Sequence, residues 1–251
     1  MQTEPIRALV ARALHAVAQG SSLDTALAQH LNGVEQQPFA RALCYSTLRH
    51  GWSNAALLAR LSTRPPKPLI GALVRAALSE LRFLATPEHA VVAESVAAAR
   101  IFDSAAAGFV NAVLRRFLRE RAGLEAALRD DPQARLEHPR WLIEQFAKDW
   151  PGELEQLCAM GNRAAPMWLR VDARSGSRDA YIAELAELGI SCTAPASPPY
   201  ALLLAEAVAV ERLPGFAQGR VSVQDASAQW VVEALDAQPG QRVLDACAAP
   251  G

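Results

Sequence analysis

Gln241-Arg242-Val243-Leu244-Asp245-Ala246-Cys247-Ala248-Ala249-Pro250-Gly251 has the local pattern of a buried β-strand running into a loop of small residues. Val243 and Leu244 supply the apolar run, and Asp245 places a carboxylate at its C-terminal end. Ala248, Ala249, Pro250 and Gly251 would let a ligand come close to the backbone. In open α/β sheets ligands sit beyond the carboxyl ends of the strands, so an acid followed by small residues suggests a nucleotide-like ligand. A plain strand-to-helix turn has the same ingredients. The chain ends inside the loop, so the expectation is a partial site.

Working outward, Asp236-Ala237-Gln238-Pro239-Gly240 reads as the turn into that strand. Before it, Ala226, Trp230, Val231 and Leu235 suit a helix that packs against the strand. Upstream lies a small α+β segment. Met167-Trp168-Leu169-Arg170-Val171 reads as a strand, 178–188 as a helix, Ile190-Ser191-Cys192 as entry to a second strand, and strands follow at about 200–204 and 220–224. His138-Pro139 starts a helix through Trp141, Leu142 and Phe146, Trp150-Pro151-Gly152 ends it, and a further helix carries Leu154, Leu157 and Met160.

The first half is a succession of amphipathic helices, which favours an all-α bundle. Ile6, Leu9, Val10, Ala13, Leu14 and Val17 follow helical spacing, with Thr3 as a candidate cap, Gly20 as the stop, and Arg7 and Arg12 interrupting the apolar positions. Further helices are predicted near 23–31, 37–49, 53–61, 67–84, 87–102 and 106–121, punctuated by Arg64-Pro65-Pro66 and Thr86-Pro87. The organisation expected is a helical domain over 1–130, an α+β module over 131–224, and a third domain beginning at 225.

The formal charge of −1 conceals an asymmetry. Residues 1–130 hold 15 Lys+Arg against 10 Asp+Glu, and residues 131–251 hold 10 against 16. Only Lys67 and Lys148 are lysines, so the cations are nearly all guanidinium, suited to bidentate phosphate contacts and to stacking on bases. An arginine-rich composition also follows from a GC-rich genome. Two stretches are candidate nucleic-acid contacts. Arg41, Tyr45 and Arg49 share one helix face, with Phe39, Leu43 and Leu48 on the core side. A solvated helix edge with a half-buried tyrosine fits the same residues. On the last helix of the bundle, Phe109, Val110, Val113, Leu114 and Phe117 form the apolar stripe, while Arg115, Arg116, Arg119 and Arg121 crowd its second half. Cations there also complement the helix dipole. Four within seven residues exceed that need and point to an anion-binding surface.

With 51% hydrophobic residues, the chain can bury one large core or two smaller ones, and no apolar run is long enough to span a bilayer. The opening Met1-Gln2-Thr3-Glu4-Pro5 shows no secretory signal pattern, so a cytoplasmic location is expected. Cys44, Cys158, Cys192 and Cys247 form no CxxC pair, neither a disulfide framework nor a zinc spacing, and no metal is expected.

Taken whole, Asp245-Ala246-Cys247-Ala248-Ala249-Pro250-Gly251 resembles the S-adenosylmethionine-binding motif of the RNA cytosine carbon-5 methyltransferases, in which Gly-Lys-Thr would follow. Val223-Gln224-Asp225-Ala226-Ser227 looks like the segment leading into that family's catalytic domain. Gly108-Phe109-Val110-Asn111-Ala112-Val113-Leu114-Arg115-Arg116 is similar to the NusB-like RNA-binding domain of its bacterial members that act on small-subunit ribosomal RNA. The resemblance implies a multidomain chain: an all-α NusB-like bundle, a small α+β module like an RNA-recognition motif, then the truncated start of an α/β Rossmann-like methyltransferase domain. Strands of the module lack the aromatic signature of a free-standing RNA-recognition motif.

The same resemblance implies that Cys247, Ala248, Ala249, Pro250 and Gly251 line part of an S-adenosylmethionine site, with Cys247 in the pocket wall. The family's attacking cysteine, which adds to carbon six of cytosine so that carbon five can take the methyl group, falls beyond Gly251. The fragment by itself is expected to be an inactive monomer whose partner is small-subunit ribosomal RNA. A stand-alone NusB-like binding or antitermination-type protein is the alternative, and the terminal cofactor-like motif argues against it. A nicotinamide enzyme is disfavoured because no GxGxxG follows the last strand.

Overall fold

A computed structural model describes residues 4–246, which fall into two compact units divided between Arg163 and Ala164.

The first unit is all helix: α1 Ile6–Ala18, α2 Leu23–Leu31, α3 Gln37–Arg49, α4 Gly51–Leu61, α5 Pro68–Phe83, α6 Glu88–Phe102, α7 Ala106–Ala127, α8 Pro132–Leu136, α9 Arg140–Asp149 and α10 Leu154–Gly161. At its centre is α5, which packs against α1, α3, α4, α6 and α7. Its sequence explains that position. Ile70 through Val74 and Ala76 through Leu81 are buried without interruption, the mark of a helix enclosed on every side. Pro68 sits in its first turn, where a missing N–H costs nothing.

Enclosure forces polar residues of α5 to find partners. Ser79 bonds to Ser46 of α3 at 2.8 Å, and Glu80, wholly buried, takes a bidentate ion pair from Arg7 of α1 at 2.8 and 2.6 Å. Arg7 also pairs with Glu94 of α6. Arg7, which interrupts the apolar positions of α1, has a side chain only 4% exposed, because the helix is covered on that side as well. Helix α1 starts after Pro5 with no side-chain cap, and Thr3 lies outside the described residues. On α3, Phe39 and Leu43 face the core, but Leu48 is 42% exposed. It sits on the edge of the stripe, and Thr47 fills the core position beside it, its hydroxyl turned back onto the Leu43 carbonyl at 2.7 Å.

The second unit is a four-stranded antiparallel sheet of β1 Trp168–Val171, β2 Cys192–Thr193, β3 Ala201–Leu204 and β4 Val221–Val223, in the order β2-β3-β1-β4. Between β1 and β2 runs α11 Arg178–Glu187, and β3 inserts between the two strands that α11 joins. That is a split β-α-β, the ferredoxin-like arrangement, with the 205–220 connection in place of its second helix. Tyr181 and Leu185 of α11 pack on Leu169, Val171, Leu202, Leu204 and Val221. Gly215, at φ +68°, closes the 205–220 connection; a Cβ there would stand 2.4 Å from Cδ of Arg220. Arg220 is held by Glu184 of α11 at 3.1 and 2.6 Å, which keeps β4 over the helix.

Helix α12 Ala226–Leu235 follows, capped by the Asp225 carboxylate on the Ser227 amide. The sequence places this helix against a strand at 243–244. It packs instead on β1, where the buried Gln229 donates to the Leu169 carbonyl at 3.2 Å and to the Gln224 carbonyl at 2.9 Å. The expected terminal strand does not form among the described residues: 241–245 have no regular structure, with Val243 56% and Leu244 85% exposed. Its apolar pattern is local, but a strand exists only by pairing its N–H and C=O groups with a neighbour, and no described strand lies alongside. The start of a Rossmann-like domain is therefore not seen within residues 225–246.

Candidate nucleic-acid interface

Helix α7 carries the arginine cluster, and its geometry separates the members. At about 100° per residue, Arg115 and Arg119 share a face, Arg116 flanks it about 60° from Arg119 and about 100° from Arg115, and Arg121 faces nearly the opposite side. Arg115 donates to Asn111 Oδ1 one turn back at 3.0 Å. It lines a groove of about 480 Å³ between α6 and α7, with His89 and Arg100 among the opposing residues and Val92, Val96 and Leu118 as its apolar floor. Arg119 is exposed and its side chain makes no hydrogen bond or ion pair to other described residues.

Arg116 has a structural use. Its guanidinium pairs with Glu120 at 3.0 Å and reaches the carbonyls of Arg60 and Leu61 at 3.4 Å, where α4 ends and its last carbonyls lack helical partners. Arg121 is divided between Glu125 at 3.3 Å and Glu88 at 3.7 Å. Of the four arginines of this cluster, Arg115 and Arg119 thus make no ion pair with other described residues, while Arg116 and Arg121 are taken up by internal partners.

On α3, Arg41 is exposed, Tyr45 is 44% exposed and Arg49 is partly exposed, in a row one turn apart. The rows on α3 and α7 belong to helices that both pack on α5. His89 and Arg100 were not singled out from the sequence. The signal was there: residues 89, 93, 96 and 100 repeat at helical spacing along α6, as 111, 115 and 118 do along α7.

Cys247, Ala248, Ala249, Pro250 and Gly251 lie outside the described residues. The described part of that stretch, 241–246, is exposed and has no regular structure. Among the described residues no group of His, Cys, Asp and Glu is placed to hold a metal ion, and no helix is long and apolar enough to cross a membrane.

Comparison with known proteins gives this geometry a context. Residues 4–119 match the NusB family, and residues 138–211 match Methyltr_RsmF/B-like, ferredoxin-like domain. The ribosomal RNA small subunit methyltransferase B of Pseudomonas putida is 42% identical over 98% of this chain and 58% of its own length. That of Xanthomonas campestris pv. campestris is 41% identical over 98% of this chain and 56% of its own length. The chain thus spans somewhat over half the length of these curated relatives. The crystal structure of PH0851 shares the fold, with a TM-score of 0.61 at 15% identity over 95% of this chain and 57% of that one. Along nearly all of its own length the chain is a homologue of the ribosomal RNA small subunit methyltransferase B proteins, joining a NusB-family helical domain to an RsmF/B-like ferredoxin-like domain.

Proposed function

We propose that this chain serves the methylation of small-subunit ribosomal RNA, with S-adenosylmethionine as methyl donor and carbon five of a cytosine as acceptor. One observation carries the reading: a NusB-family match and an RsmF/B-like ferredoxin-like match occur in tandem in a chain aligned over 98% of its length with ribosomal RNA methyltransferases. In this reading the helical unit holds RNA. Arg115 and Arg119, with His89 and Arg100 across the α6–α7 groove, supply phosphate contacts, and the Arg41-Tyr45-Arg49 row adds a second strip of cations around one aromatic ring. Cys247 to Gly251 would belong to the cofactor loop, and the covalent chemistry at cytosine would fall to residues other than those described. Cytoplasmic location and a monomeric state accompany this proposal.

Deletion of the gene, followed by bisulfite sequencing of small-subunit ribosomal RNA, tests it. Protection of one cytosine should disappear and return on complementation. A deletion strain whose protected cytosines are the same as those of the wild type would overturn the reading.

A further inference from the structure

A second basic cavity lies along the C-terminal half of α7, with other lining residues than the α6–α7 groove, although its Arg121 reaches Glu88 of that groove. It encloses about 470 Å³, within the range of small-ligand pockets, roughly 300–1,000 Å³. Four guanidinium groups line it, from Arg82, Arg121, Arg129 and Arg135, against two carboxylates, Glu125 and Glu137.

The carboxylates are already committed. Glu137, in the left-handed region at φ 55°, turns its side chain onto the start of α4, where Oε2 accepts from the amides of Trp52 at 3.0 Å and Ser53 at 3.1 Å. Its other oxygen lies 3.4 Å from Nδ1 of His50. Glu125 is shared between Arg121 and Arg82. Arg135 is neutralised by Glu155.

Arg121 is also met by Glu88, at 3.7 Å, so the guanidinium groups left without a full partner are those of Arg129 and Arg82. The Arg129 side chain makes no hydrogen bond or ion pair to other described residues. Arg82 is nine-tenths buried, and its Nε has no hydrogen-bond acceptor, the Glu125 oxygen standing 3.7 Å away. Its other contacts are neutral: Nη1 donates to Ser53 Oγ at 2.7 Å and Asn54 Oδ1 at 2.8 Å, and its carbon lies over the Phe83 ring at 4.5 Å. Burial pulls this guanidinium below its usual range, Glu125 and Glu137 act against that, and Arg121 adds repulsion. Arginine keeps its proton, so the unfavourable field is relieved by an anion rather than by deprotonation.

We infer that this cavity is a phosphate-binding site, in which Arg82, Arg121 and Arg129 hold a backbone phosphate of the bound RNA at a point separate from the arginines of the α6–α7 groove. The identity of the macromolecule rests on the proposed RNA function; the need for an oxyanion rests on the cavity alone. Phosphate offers several acceptor oxygens, enough for the unpaired Nε of Arg82 and a bidentate contact from a second guanidinium.

The test is fluorescence anisotropy of the chain with a labelled single-stranded fragment of small-subunit ribosomal RNA, repeated at several salt concentrations. Arg129→Ala, which breaks no internal contact, should weaken binding about fivefold to tenfold at low salt and lower the slope of log affinity against log salt by about 0.7. Arg121→Ala should act in the same direction. Arg140→Ala, which removes an 82% exposed arginine of α9 paired with Glu144, should change neither. A parallel titration with inorganic phosphate, followed by the Nε resonance of Arg82, reports the anion itself. Unchanged RNA affinity and slope in both variants, with helical circular dichroism intact, overturns the inference whether or not inorganic phosphate shifts Arg82. That result would leave the methylation reading standing, because bisulfite protection is measured independently of the pocket.

Discussion

Arg7 and Glu80 form a bidentate ion pair in which the two side chains are 4% and 0% exposed, one on the first helix and one on α5, the helix against which α1, α3, α4, α6 and α7 all pack. Removing two charges from water costs several kcal/mol per ion, so such a pair holds only with good geometry and with its remaining groups satisfied. Arg7 meets both conditions through Glu80 and Glu94. Arg7→Ala leaves a carboxylate sealed in the core and should destabilise the helical unit by about 3–5 kcal/mol in urea unfolding. The double change Arg7→Met with Glu80→Leu should cost much less than the single one. Equal losses would mean that the packing of the side-chain stems, rather than the charge, is what matters there.

Cys44 lies wholly buried on α3, and burial pushes its thiol up to about 12. The thiolate is the reactive species, so Cys44 should be silent to a thiol-exchange reagent at pH 8 in the folded chain and react promptly in urea. Peptide mass mapping after labelling distinguishes it from Cys158 and Cys192. Labelling of Cys44 in native buffer at the denatured rate would show that α3 detaches from α5 far more often than its packing implies.

Tyr181 anchors the second unit. It is 2% exposed, its hydroxyl donates to the Pro214 carbonyl at 3.0 Å, and burial pushes it up to about 12, a shift that Arg220 opposes and Glu184 reinforces. With the folded value above the unfolded one near 10, its contribution is complete below pH 10 and is lost as pH rises towards 12. The tyrosinate absorbance of the wild-type chain minus that of Tyr181→Phe should therefore rise near pH 12. A difference curve with its midpoint at 10 would mean that the ring is solvated in solution.

Much of the fold is written in local patterns. The helices end at Gly20, at the Arg64-Pro65-Pro66 run and at Thr86-Pro87 because glycine and proline impose backbone geometry on their own. The strands of the small sheet are legible from short apolar runs between turn residues, and their antiparallel order was beyond reach because register is set by partners, not by the strand itself. Three features of the fold share that cause. Arg7 shows in the sequence only as a break in the apolar face, because its partner Glu80 is 73 residues away. Val243-Leu244 reads as a strand because its pattern is local and its pairing is not. Glu137 gives no sign that it caps a helix 85 residues earlier. The arginine cluster of α7 was legible as a charge run, but only geometry separates Arg116, which tends the end of α4, from Arg115 and Arg119.

That separation yields the last prediction. If Arg115 and Arg119 contact phosphates, replacing both with Ala should weaken binding of small-subunit ribosomal RNA and lower the salt slope by up to about 1.4, two contacts at roughly 0.7 each for single strands. Unfolding free energy should hardly move, because Arg115 loses only an exposed bond to Asn111 and Arg119 loses none. Arg116→Ala should show the opposite profile. It strips the Arg60 and Leu61 carbonyls of a donor and breaks the pair with Glu120, so stability should fall by about 0.5–1.5 kcal/mol while the salt slope stays near wild type. Urea unfolding and anisotropy on the same three proteins read both axes. Identical behaviour of Arg116→Ala and the double variant would return all three arginines to one continuous RNA-facing surface and contradict the division drawn from their partners.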